Sequence, residues 1–369
     1  MSIDQNRELI LRMVESQAVL DGRFSNIRRI GDDGGPGNFS LMFTAADSVT
    51  GNEVALKVFH PARRDDAYRL ASFRREAEML GEFVGQPNVI QRVSSLADFT
   101  EGFDTPLNVR YTLTFSYFAM ELAKSDLAAA VAFGGLDAEA KLVFFRDACK
   151  GLQRLHVRQI VHRDPKPRNL LVMADRQVKI ADLGTSRSLD RDAVPLLPDY
   201  AGFWPGDLRY AAPEMLAGLF SEAPELAIYA DFFGLGAILF ELFTGQVLTL
   251  SVFDGSFAMD LTSAMAHVPP GKRRQIYDDF VTQLADGHPL PNLSATGDGA
   301  PRCIQLRLDG LYSELCRLDY RKRLRRFESL FRQIEICLIV LRNEEKYLRW
   351  LKEKRRRRAT LIGAGRVAR

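Results

Sequence analysis

The hydrophobic and polar positions change their period along the chain. Apolar residues recur at helical spacing over about 5–20, which predicts an amphipathic helix. A second helical stretch covers residues 65–83. Around it, alternating or β-rich runs lie near residues 24–31, 38–46, 52–59, 89–96 and 110–121. The pattern therefore predicts an initial helix followed by elements in the order β-β-β-α-β-β.

From about residue 126 onward the pattern is mainly helical, with three interruptions. These are the loop HRDPKPRN at 162–169, the short strand QVKIAD at 177–182, and an irregular stretch at 183–212. A strand-rich part followed by a helix-rich part predicts an α+β fold, with a small β-rich region and a large helical region.

The composition is that of an ordinary soluble protein of two or three domain-sized units, with 369 residues, 46% hydrophobic and 26% charged. Four widely spaced cysteines without a C-x-x-C pair fit reduced thiols and argue against a zinc site. Charges interrupt the N-terminal apolar positions, which excludes a signal-peptide core. The longest apolar run considered, ICLIVL at 336–341, is far shorter than the roughly 18 residues of a membrane span. We therefore expect a cytoplasmic protein without a transmembrane segment. Arginine outnumbers lysine, which hints at a GC-rich, bacterial genome.

The loop HRDPKPRN contains too many polar groups and prolines to be helical. Pro165 and Pro167 fix their own φ angles and push the preceding residues towards extended geometry. They hold Asp164 and Lys166 in a rigid segment that can aim side chains. The alternative from this stretch alone is a solvated charged turn.

Two further segments suggest phosphate chemistry. The glycine-rich turn IGDDGGPGNF, 30–39, would let backbone N–H groups approach a phosphate, although a plain hairpin has the same composition. In VALK, 54–57, Lys57 lies on an apolar strand and needs an acid or a phosphate as partner. Glu76 in the following helix is the nearest suitable acid. The alternative is a snorkelling lysine and a solvated glutamate.

These segments together resemble the protein kinase family over about residues 24–340. The glycine-rich loop, VALK, RREAEML, HRDPKPRN, ADLG and YAAPE occur in the family's order and at compatible spacings. The resemblance implies an α+β, protein-kinase-like two-lobe fold. Its parts would be an N-terminal helical extension at 1–22, an N-lobe at 23–123, a C-lobe at 124–341 and a basic C-terminal extension at 342–369.

The resemblance also implies roles for the residues of the HRDPKPRN and ADLG motifs. Asp164 would accept the proton of the substrate hydroxyl, and Lys166 would offset charge on the γ-phosphate of ATP. Asn169 and Asp182 would hold Mg²⁺, since amide and carboxylate oxygens suit a hard cation.

The nucleotide would be bound by residues of the N-lobe and the hinge. Lys57 would contact the α- and β-phosphates while paired with Glu76. The other implied contacts are the loop glycines Gly31, Gly34 and Gly37, the gatekeeper Met120, the hinge from Glu121 to Ala123, and Asp126 at the ribose. Two structural expectations follow: Glu214 of YAAPE would pair with Arg323, and Asp231 would support the catalytic-loop backbone.

Lys166, two residues after the catalytic aspartate, is typical of serine/threonine kinases, so the implied activity is transfer from Mg-ATP to Ser/Thr hydroxyls of a protein. One alternative is a pseudokinase that serves as a binding or scaffold module. It is disfavoured by the joint presence of Lys57, Glu76, Asp164, Asn169 and Asp182. Another is a small-molecule phosphotransferase, but such enzymes usually read H-G-D at the loop and lack an APE segment.

The sequence departs from the family pattern at three places. The first glycine spacing is one residue longer than usual, and Pro36 removes an N–H at the tip of the loop. Leu183 stands where phenylalanine is commonest. Asp207 replaces the usual threonine; it could bond to Lys166 but would repel Asp164.

The segment before YAAPE favours activity without phosphorylation. Between Leu189 and Arg209 the only hydroxyl belongs to Tyr200. Arg163, which often grips a phosphorylated residue in related kinases, has fixed acids nearby in sequence at Asp190, Asp192 and Asp199. One of them could pair with it permanently; the alternative is a contact to backbone or solvent.

The C-terminal extension combines a helix and a cationic run. Apolar residues recur at helical spacing from Phe327 to Leu341, which predicts a last helix packed on the large lobe. Residues 352–358, KEKRRRR, carry six cations in seven positions. They would attract a polyanion with strong salt dependence. Nucleic acid or an acidic protein is favoured over a membrane surface, because the sequence shows no lipidation motif and charge alone holds membranes weakly. The alternative is a solvated end that binds nothing.

Overall fold

The computed structural model describes residues 3–31, 40–104, 110–189, 206–221, 223–253, 255–269, 271–293, 299–344, 346–347, 349–350 and 352–354. The chain forms two compact units. Unit 1 takes its residues from 1–127, 150–163 and 167–205, and unit 2 from 128–149, 164–166 and 206–369. The four consecutive domains expected from the sequence stay a prediction.

The described residues of unit 1 form three antiparallel sheets. The largest has six strands in the order β1-β2-β3-β4-β6-β5, the second has the order β10-β9-β7, and β11 pairs with β8. The strands are β1 (Val19–Leu20), β2 (Phe24–Arg29), β3 (Ser40–Asp47), β4 (Glu53–Phe59), β5 (Ala97–Asp104), β6 (Arg110–Glu121), β7 (Ser125–Asp126), β8 (Ile160–Val161), β9 (Leu170–Val172), β10 (Val178–Ile180) and β11 (Arg187–Ser188).

The helices are concentrated in the second half of the chain. The described α-helices are α1 (Ile3–Glu15), α2 (Ala67–Glu82), α3 (Leu127–Ala132), α4 (Ala138–Val157), α5 (Pro213–Leu216), α6 (Leu226–Thr244), α7 (Leu248–Val252), α8 (Phe257–Ala266), α9 (Arg273–Gly287), α10 (Gln305–Leu315) and α11 (Phe327–Arg342). The strand-rich and helix-rich regions expected from the sequence are both present, and the α+β class is confirmed.

Helix α1 belongs to the core of unit 1. Its apolar residues Leu11 and Val14 are almost completely buried and join the cluster formed by the inner face of the six-stranded sheet. At the end of β2, the Arg29 guanidinium donates to Glu8 at 2.7 Å and to Glu15 at 2.6 Å. The helix is therefore fastened to the sheet by apolar packing and by one arginine shared between two carboxylates.

The prediction of a strand at residues 89–96 is wrong. The strand in this part of the sequence is β5, Ala97–Asp104, which pairs with β6. The earlier residues form only isolated bridges, because their backbone bonds go to different strands: the Ile90 N–H donates to the Ile180 carbonyl at 3.0 Å, and the Val93 N–H donates to the Ala119 carbonyl at 2.7 Å. They bridge two sheets of unit 1 and so form no continuous ladder.

Helix α6 forms the centre of unit 2. Among the described residues it is the one helix as long and apolar as a membrane span, whereas the run considered from the sequence is the short one at 336–341. By length and composition alone it could cross a membrane, but 83% of its apolar window is buried inside the protein. Core helices of soluble proteins pass the same test, so this finding is weak evidence for a membrane span. Close packing is built in at Gly236, where an added Cβ would lie 2.2 Å from the Cys316 sulfur.

The predicted last helix is confirmed as α11. Its residues Leu330, Ile334 and Leu338 are fully buried, and Arg146 on α4 donates to Glu335 at 2.9 Å. Residues 352–354 of the basic run are helical, and residues 355–369 lie outside the described part of the chain. The four cysteines are free and buried.

Candidate active site

The ion pair expected between β4 and α2 is present in unit 1. Lys57 lies in the middle of the six-stranded sheet, opposite Met42 and Phe118. Its ammonium donates to both oxygens of Glu76, at 2.8 and 2.6 Å, and to Asp182 at 3.3 Å. The Lys57 and Glu76 side chains are only 13% and 3% exposed. The alternative interpretation, a snorkelling lysine and a solvated glutamate, is therefore wrong.

Two carboxylates share this one ammonium. Burial alone would lower the pKa of Lys57, but the charges of Asp182 and Glu76 hold it above its ordinary value. Burial raises the pKa of Glu76 to about 7, opposed by Lys57 and reinforced by Asp182. The cluster thus carries one more acid than base, an arrangement suited to a further cation at the more exposed carboxylate.

That more exposed carboxylate is Asp182, placed by the β9–β10 hairpin. Its φ is 60°, in the left-handed region, and its side chain is 48% exposed. Leu170 of β9 stands opposite Ile180 of β10, and the Ala181 N–H donates to the Asn169 carbonyl at 2.9 Å. Asn169 and Asp182 therefore lie at the same end of one ladder.

The oxygens of Asn169 and Asp182 fit Mg²⁺ by their chemistry. Among the described residues no group of three or more His, Cys, Asp or Glu side chains forms a metal cage. Magnesium typically takes one or two protein oxygens and completes its shell with water and substrate phosphates. Two oxygen ligands beside a lysine that can bind phosphate match that pattern.

Helix α2 is docked against the turn that follows Asp182. Arg75 donates to the Gly184 carbonyl at 3.0 Å. A Cβ at Gly184 would lie 3.4 Å from the Ser72 carbonyl oxygen, so the two backbones are in van der Waals contact range. The helical turn that leads to Glu76 is therefore docked against this segment through Ser72 and Arg75.

The predicted hinge lies at the end of β6 in unit 1. Met120 is buried at 6% exposure and stands opposite Ala55. The Glu121 carboxylate accepts two hydrogen bonds from Lys179, at 2.8 and 2.6 Å, and one from the Gln91 N–H at 3.0 Å. This carboxylate is thus engaged in fastening β6 to β10.

The remaining predicted nucleotide contacts are placed as follows. Ala123 follows β6 and is partly buried. Asp126 lies in β7, opposite Leu171 of β9. Gly31 has φ 72°, a left-handed conformation that glycine adopts without strain. Gly34, Gly37 and Pro36 lie outside the described residues.

The centre of the HRDPKPRN loop belongs to unit 2. Lys166 donates to Asp164 Oδ2 at 2.7 Å, and the Asp207 backbone N–H donates to Asp164 Oδ1 at 2.8 Å. Helix α6 packs directly behind this loop, since a Cβ at Gly234 would lie 2.4 Å from Pro165 Cγ. Asp231, on the same helix, is fully buried. Both oxygens of the Asp164 carboxylate are held by donors.

The repulsion expected from Asp207 is balanced by a residue that the sequence analysis did not single out. Arg209 donates to both Asp207 oxygens, at 3.0 and 2.8 Å, while Lys166 Nζ lies 3.8 Å from Asp207 Oδ2. Burial would raise the pKa of Asp207, but Arg209 and Lys166 together hold it below its ordinary value. The charge at position 207 is therefore neutralised locally.

The structural pair expected for YAAPE is confirmed. Arg323 donates to Glu214 at 2.5 and 3.2 Å, and both side chains are completely buried. Arg163 is buried, with φ 71°. The acids expected to pair with it, at positions 190, 192 and 199, lie outside the described residues, as does Tyr200.

Lys179, Arg209 and Gly234 are the contributors that sequence reasoning missed. Each has a signal in the sequence, though a weak one. Lys179 is a charge at the centre of a short apolar strand. Gly234 is a glycine inside a helical pattern, which indicates close packing. Arg209 stands two residues after an aspartate in an irregular segment, where only the fold shows that the two side chains turn towards each other.

Comparison with known proteins gives one family and several relatives. The model of the protein kinase domain matches residues 28–328. The chain is 30% identical over 236 residues to the serine/threonine-protein kinase PknA of Corynebacterium glutamicum, covering 63% of this chain and 45% of that protein. It is 28% identical over 256 residues to the serine/threonine-protein kinase PrkC of Bacillus subtilis, covering 69% and 35%. It is 30% identical over 214 residues to cell division control protein 2 homolog 3 of Trypanosoma brucei brucei, covering 58% and 61%. The chain thus spans less than two thirds of each of these three relatives.

Proposed function

Because the chain belongs to the protein kinase family, we propose that it transfers the γ-phosphoryl group of Mg-ATP to serine or threonine hydroxyls of a protein. The observation that carries this proposal is the Lys57–Glu76 pair, formed at 2.6 Å and completed by Asp182 at 3.3 Å. Active kinases need this lysine–glutamate pair and the metal-binding aspartate together. Lys166, beside Asp164, and the two relatives named serine/threonine-protein kinases support the choice of acceptor.

The residues of unit 1 would bind the nucleotide. Lys57 would hold the α- and β-phosphates, with Glu76 fixing the direction of its ammonium. Gly31, Gly34 and Gly37 would bring backbone N–H groups towards the phosphates. Met120, Glu121, Ala123 and Asp126 would surround the adenosine. Asn169 and Asp182 would hold Mg²⁺, which supplies neutralisation of phosphate charge when bound.

The residues of unit 2 would act on the acceptor. Asp164 would accept the proton of the Ser/Thr hydroxyl as its oxygen forms a bond to the γ-phosphorus and the bond to the β,γ-bridging oxygen breaks. Lys166 would stabilise the charge on the transferring group. Because Asp164 is held by the Asp207 N–H and by Lys166, its carboxylate is oriented before the acceptor arrives.

The proposal extends to the setting of the reaction. We place the protein in the cytoplasm, in agreement with its buried free thiols. The run at 352–358 would add electrostatic attraction to an anionic partner, nucleic acid or an acidic protein.

A γ-labelled ATP assay with serine, threonine and tyrosine peptides and small-molecule acceptors tests the proposal. We expect label on serine or threonine peptides, or on the protein itself. Label on small alcohols or aminoglycosides alone would identify a small-molecule phosphotransferase. Nucleotide binding without any transfer would identify a pseudokinase.

A further inference from the structure

Asp207 and Arg209 form a fixed pair of charges in unit 2. The Arg209 backbone N–H and Nε both donate to Asp207 Oδ1 at 3.0 Å, and its terminal nitrogen donates to Oδ2 at 2.8 Å. Asp207 is 17% exposed, whereas Arg209 is 55% exposed. Three bonds on one carboxylate leave it a single orientation.

The same aspartate contacts both functional residues of the HRDPKPRN loop. Its backbone N–H donates to Asp164 Oδ1 at 2.8 Å, and its Oδ2 lies 3.8 Å from Lys166 Nζ. Lys166 in turn lies 2.7 Å from Asp164 Oδ2. Charges of alternating sign therefore follow one another in the order Asp164, Lys166, Asp207, Arg209.

The charges of Asp207 and Arg209 act on the Lys166 ammonium in opposite directions. The Asp207 carboxylate offers the ammonium a second anion besides Asp164. Arg209 binds that carboxylate and thereby limits how strongly it attracts the ammonium. A carboxylate at position 207 without Arg209 would draw Lys166 away from Asp164, and Arg209 without the carboxylate would repel Lys166.

We propose that Asp207 and Arg209 are a positioning pair that sets Lys166 and Asp164 for phosphoryl transfer, and that Arg209 is needed only because position 207 carries a carboxylate. The inference rests on the proposed function for its kinetic consequence. Neither residue would touch the reacting atoms, because both act through Lys166 and Asp164. A neutral oxygen at position 207 would remove the need for the arginine.

A second Asp-x-Arg pair in unit 2 provides a matched control. Arg321 donates to Asp319 through its backbone N–H at 3.1 Å, through Nε at 2.8 Å and through its terminal nitrogen at 3.1 Å. Lys322 also lies near it, 3.4 Å from Asp319 Oδ2. The local geometry matches that of the first pair. The two pairs differ in their further contacts, because Asp207 also contacts Asp164 and Lys166.

A double-mutant cycle of Asp207→Thr and Arg209→Gln tests the proposal. We expect each single variant to lower kcat for the best serine or threonine peptide about tenfold or more, with KM for ATP little changed. The double variant should recover to within about threefold of the wild-type kcat, because the two charge effects cancel. The cycle of Asp319→Thr and Arg321→Gln should lower the thermal midpoint without changing kcat. Additive losses in the first cycle, with thermal midpoints falling in step, would overturn the proposal.

The reactivity of Lys166 gives a readout that needs no phosphate transfer. Nucleotide-free protein is treated briefly with an acylating ester, and modification of Lys166 is compared with that of Lys322 by mass spectrometry. Asp207→Thr should speed acylation of Lys166 several-fold because it removes one of the two carboxylates that hold the ammonium, Arg209→Gln should slow it because it frees that carboxylate to bind the ammonium, and the double variant should return it towards the wild-type rate. Equal rates of Lys166 acylation in the wild type, the two single variants and the double variant would overturn the proposal of a positioning pair. If the acylation rates follow the expected order but the wild type transfers no phosphate, the positioning pair is supported and the proposed function is wrong.

Discussion

At the scale of single residues, the most consequential feature is that Lys57 contacts two carboxylates that differ in their exposure to solvent. Glu76 is buried and has its pKa raised to about 7, whereas Asp182 is half exposed. The sequence shows that Lys57 needs an acid and that Glu76 is available. It does not show that Asp182 would join them, because the β9–β10 hairpin that brings it there is a tertiary arrangement.

Glu76 gives a prediction about stability and pH. Its pKa is about 7 in the folded protein against 4.5 as the ordinary value, so the folded state holds a proton that the unfolded chain releases. Stability contributed by the neutral form is complete below pH 4.5 and is lost as pH rises through 7. Relative to Glu76→Gln, the wild type should therefore lose free energy of unfolding between pH 5 and pH 8.

Urea unfolding of both proteins across that pH range provides the measurement. Glu78→Gln is the matched control, because Glu78 lies on the same helix with its side chain exposed. The control should follow the wild type at every pH. Parallel curves for wild type and Glu76→Gln would contradict the raised pKa.

At the scale of elements, local pattern predicted the strands and helices well wherever one face is buried. Strand β3 alternates between buried and half-buried positions throughout, and strand β6 begins and ends where the β-rich run at 110–121 predicts it. The run at 89–96 failed because its apolar residues are buried between two sheets of unit 1, with backbone bonds to each. The sequence pattern indicates that such a segment is buried, but it does not indicate that the backbone hydrogen bonds go to two different sheets.

Helix α6 yields a prediction about the loop that it supports. Gly234→Ala improves helix propensity, but the new Cβ would lie 2.4 Å from Pro165 Cγ and 3.0 Å from its carbonyl oxygen. We expect displacement of the loop and a loss of phosphoryl transfer of about tenfold or more. Gly310→Ala on α10 is the control, since its Cβ meets nothing within 4 Å. It should raise stability by about 0.5–1 kcal/mol and leave kcat unchanged. Equal kcat values for the two variants would argue against contact between α6 and the loop.

Helix α1 yields a second prediction at this scale. The family model starts at residue 28, yet Leu11, well before it, is 1% exposed in the core of unit 1. Leu11→Ala should lower the free energy of unfolding by about 2–5 kcal/mol, as expected for a buried leucine. Arg12→Ala, at a neighbouring exposed position, should change it by less than about 1 kcal/mol. A similarly small change in the free energy of unfolding of both variants would mean that α1 contributes little to the stability of unit 1.

At the scale of the whole molecule, the order of motifs along the chain predicted the family, and the match over residues 28–328 agrees with it. The placement of the motifs in the two units could not be predicted. The chain passes between units twice within the HRDPKPRN loop, so that Asp164 to Lys166 belong to one unit and Asn169 to the other. Such interleaving depends on packing between distant segments, which local sequence does not record.

The basic C-terminal run gives a prediction that concerns the chain as a whole. Residues 352–358 hold six cations and one acid, while the protein carries a net charge of only +3. Truncation after Leu351 should reduce retention on heparin and on immobilised nucleic acid at low salt, and should leave peptide phosphorylation near normal. Salt elution of both proteins from the two columns provides the measurement. Identical elution would leave the run as a solvated end.

The central claim is phosphoryl transfer with Asp164 as the proton acceptor, and its most direct test compares wild type with Asp164→Asn. Label transfer from γ-labelled ATP to serine and threonine peptides is measured beside the affinity of each protein for Mg-ATP. We expect transfer by the wild type, a loss of about 100-fold or more in the variant, and nucleotide affinities that agree within about threefold. A wild type that binds Mg-ATP but labels no acceptor, itself included, or a variant that transfers as fast as the wild type, would contradict the role proposed for Asp164.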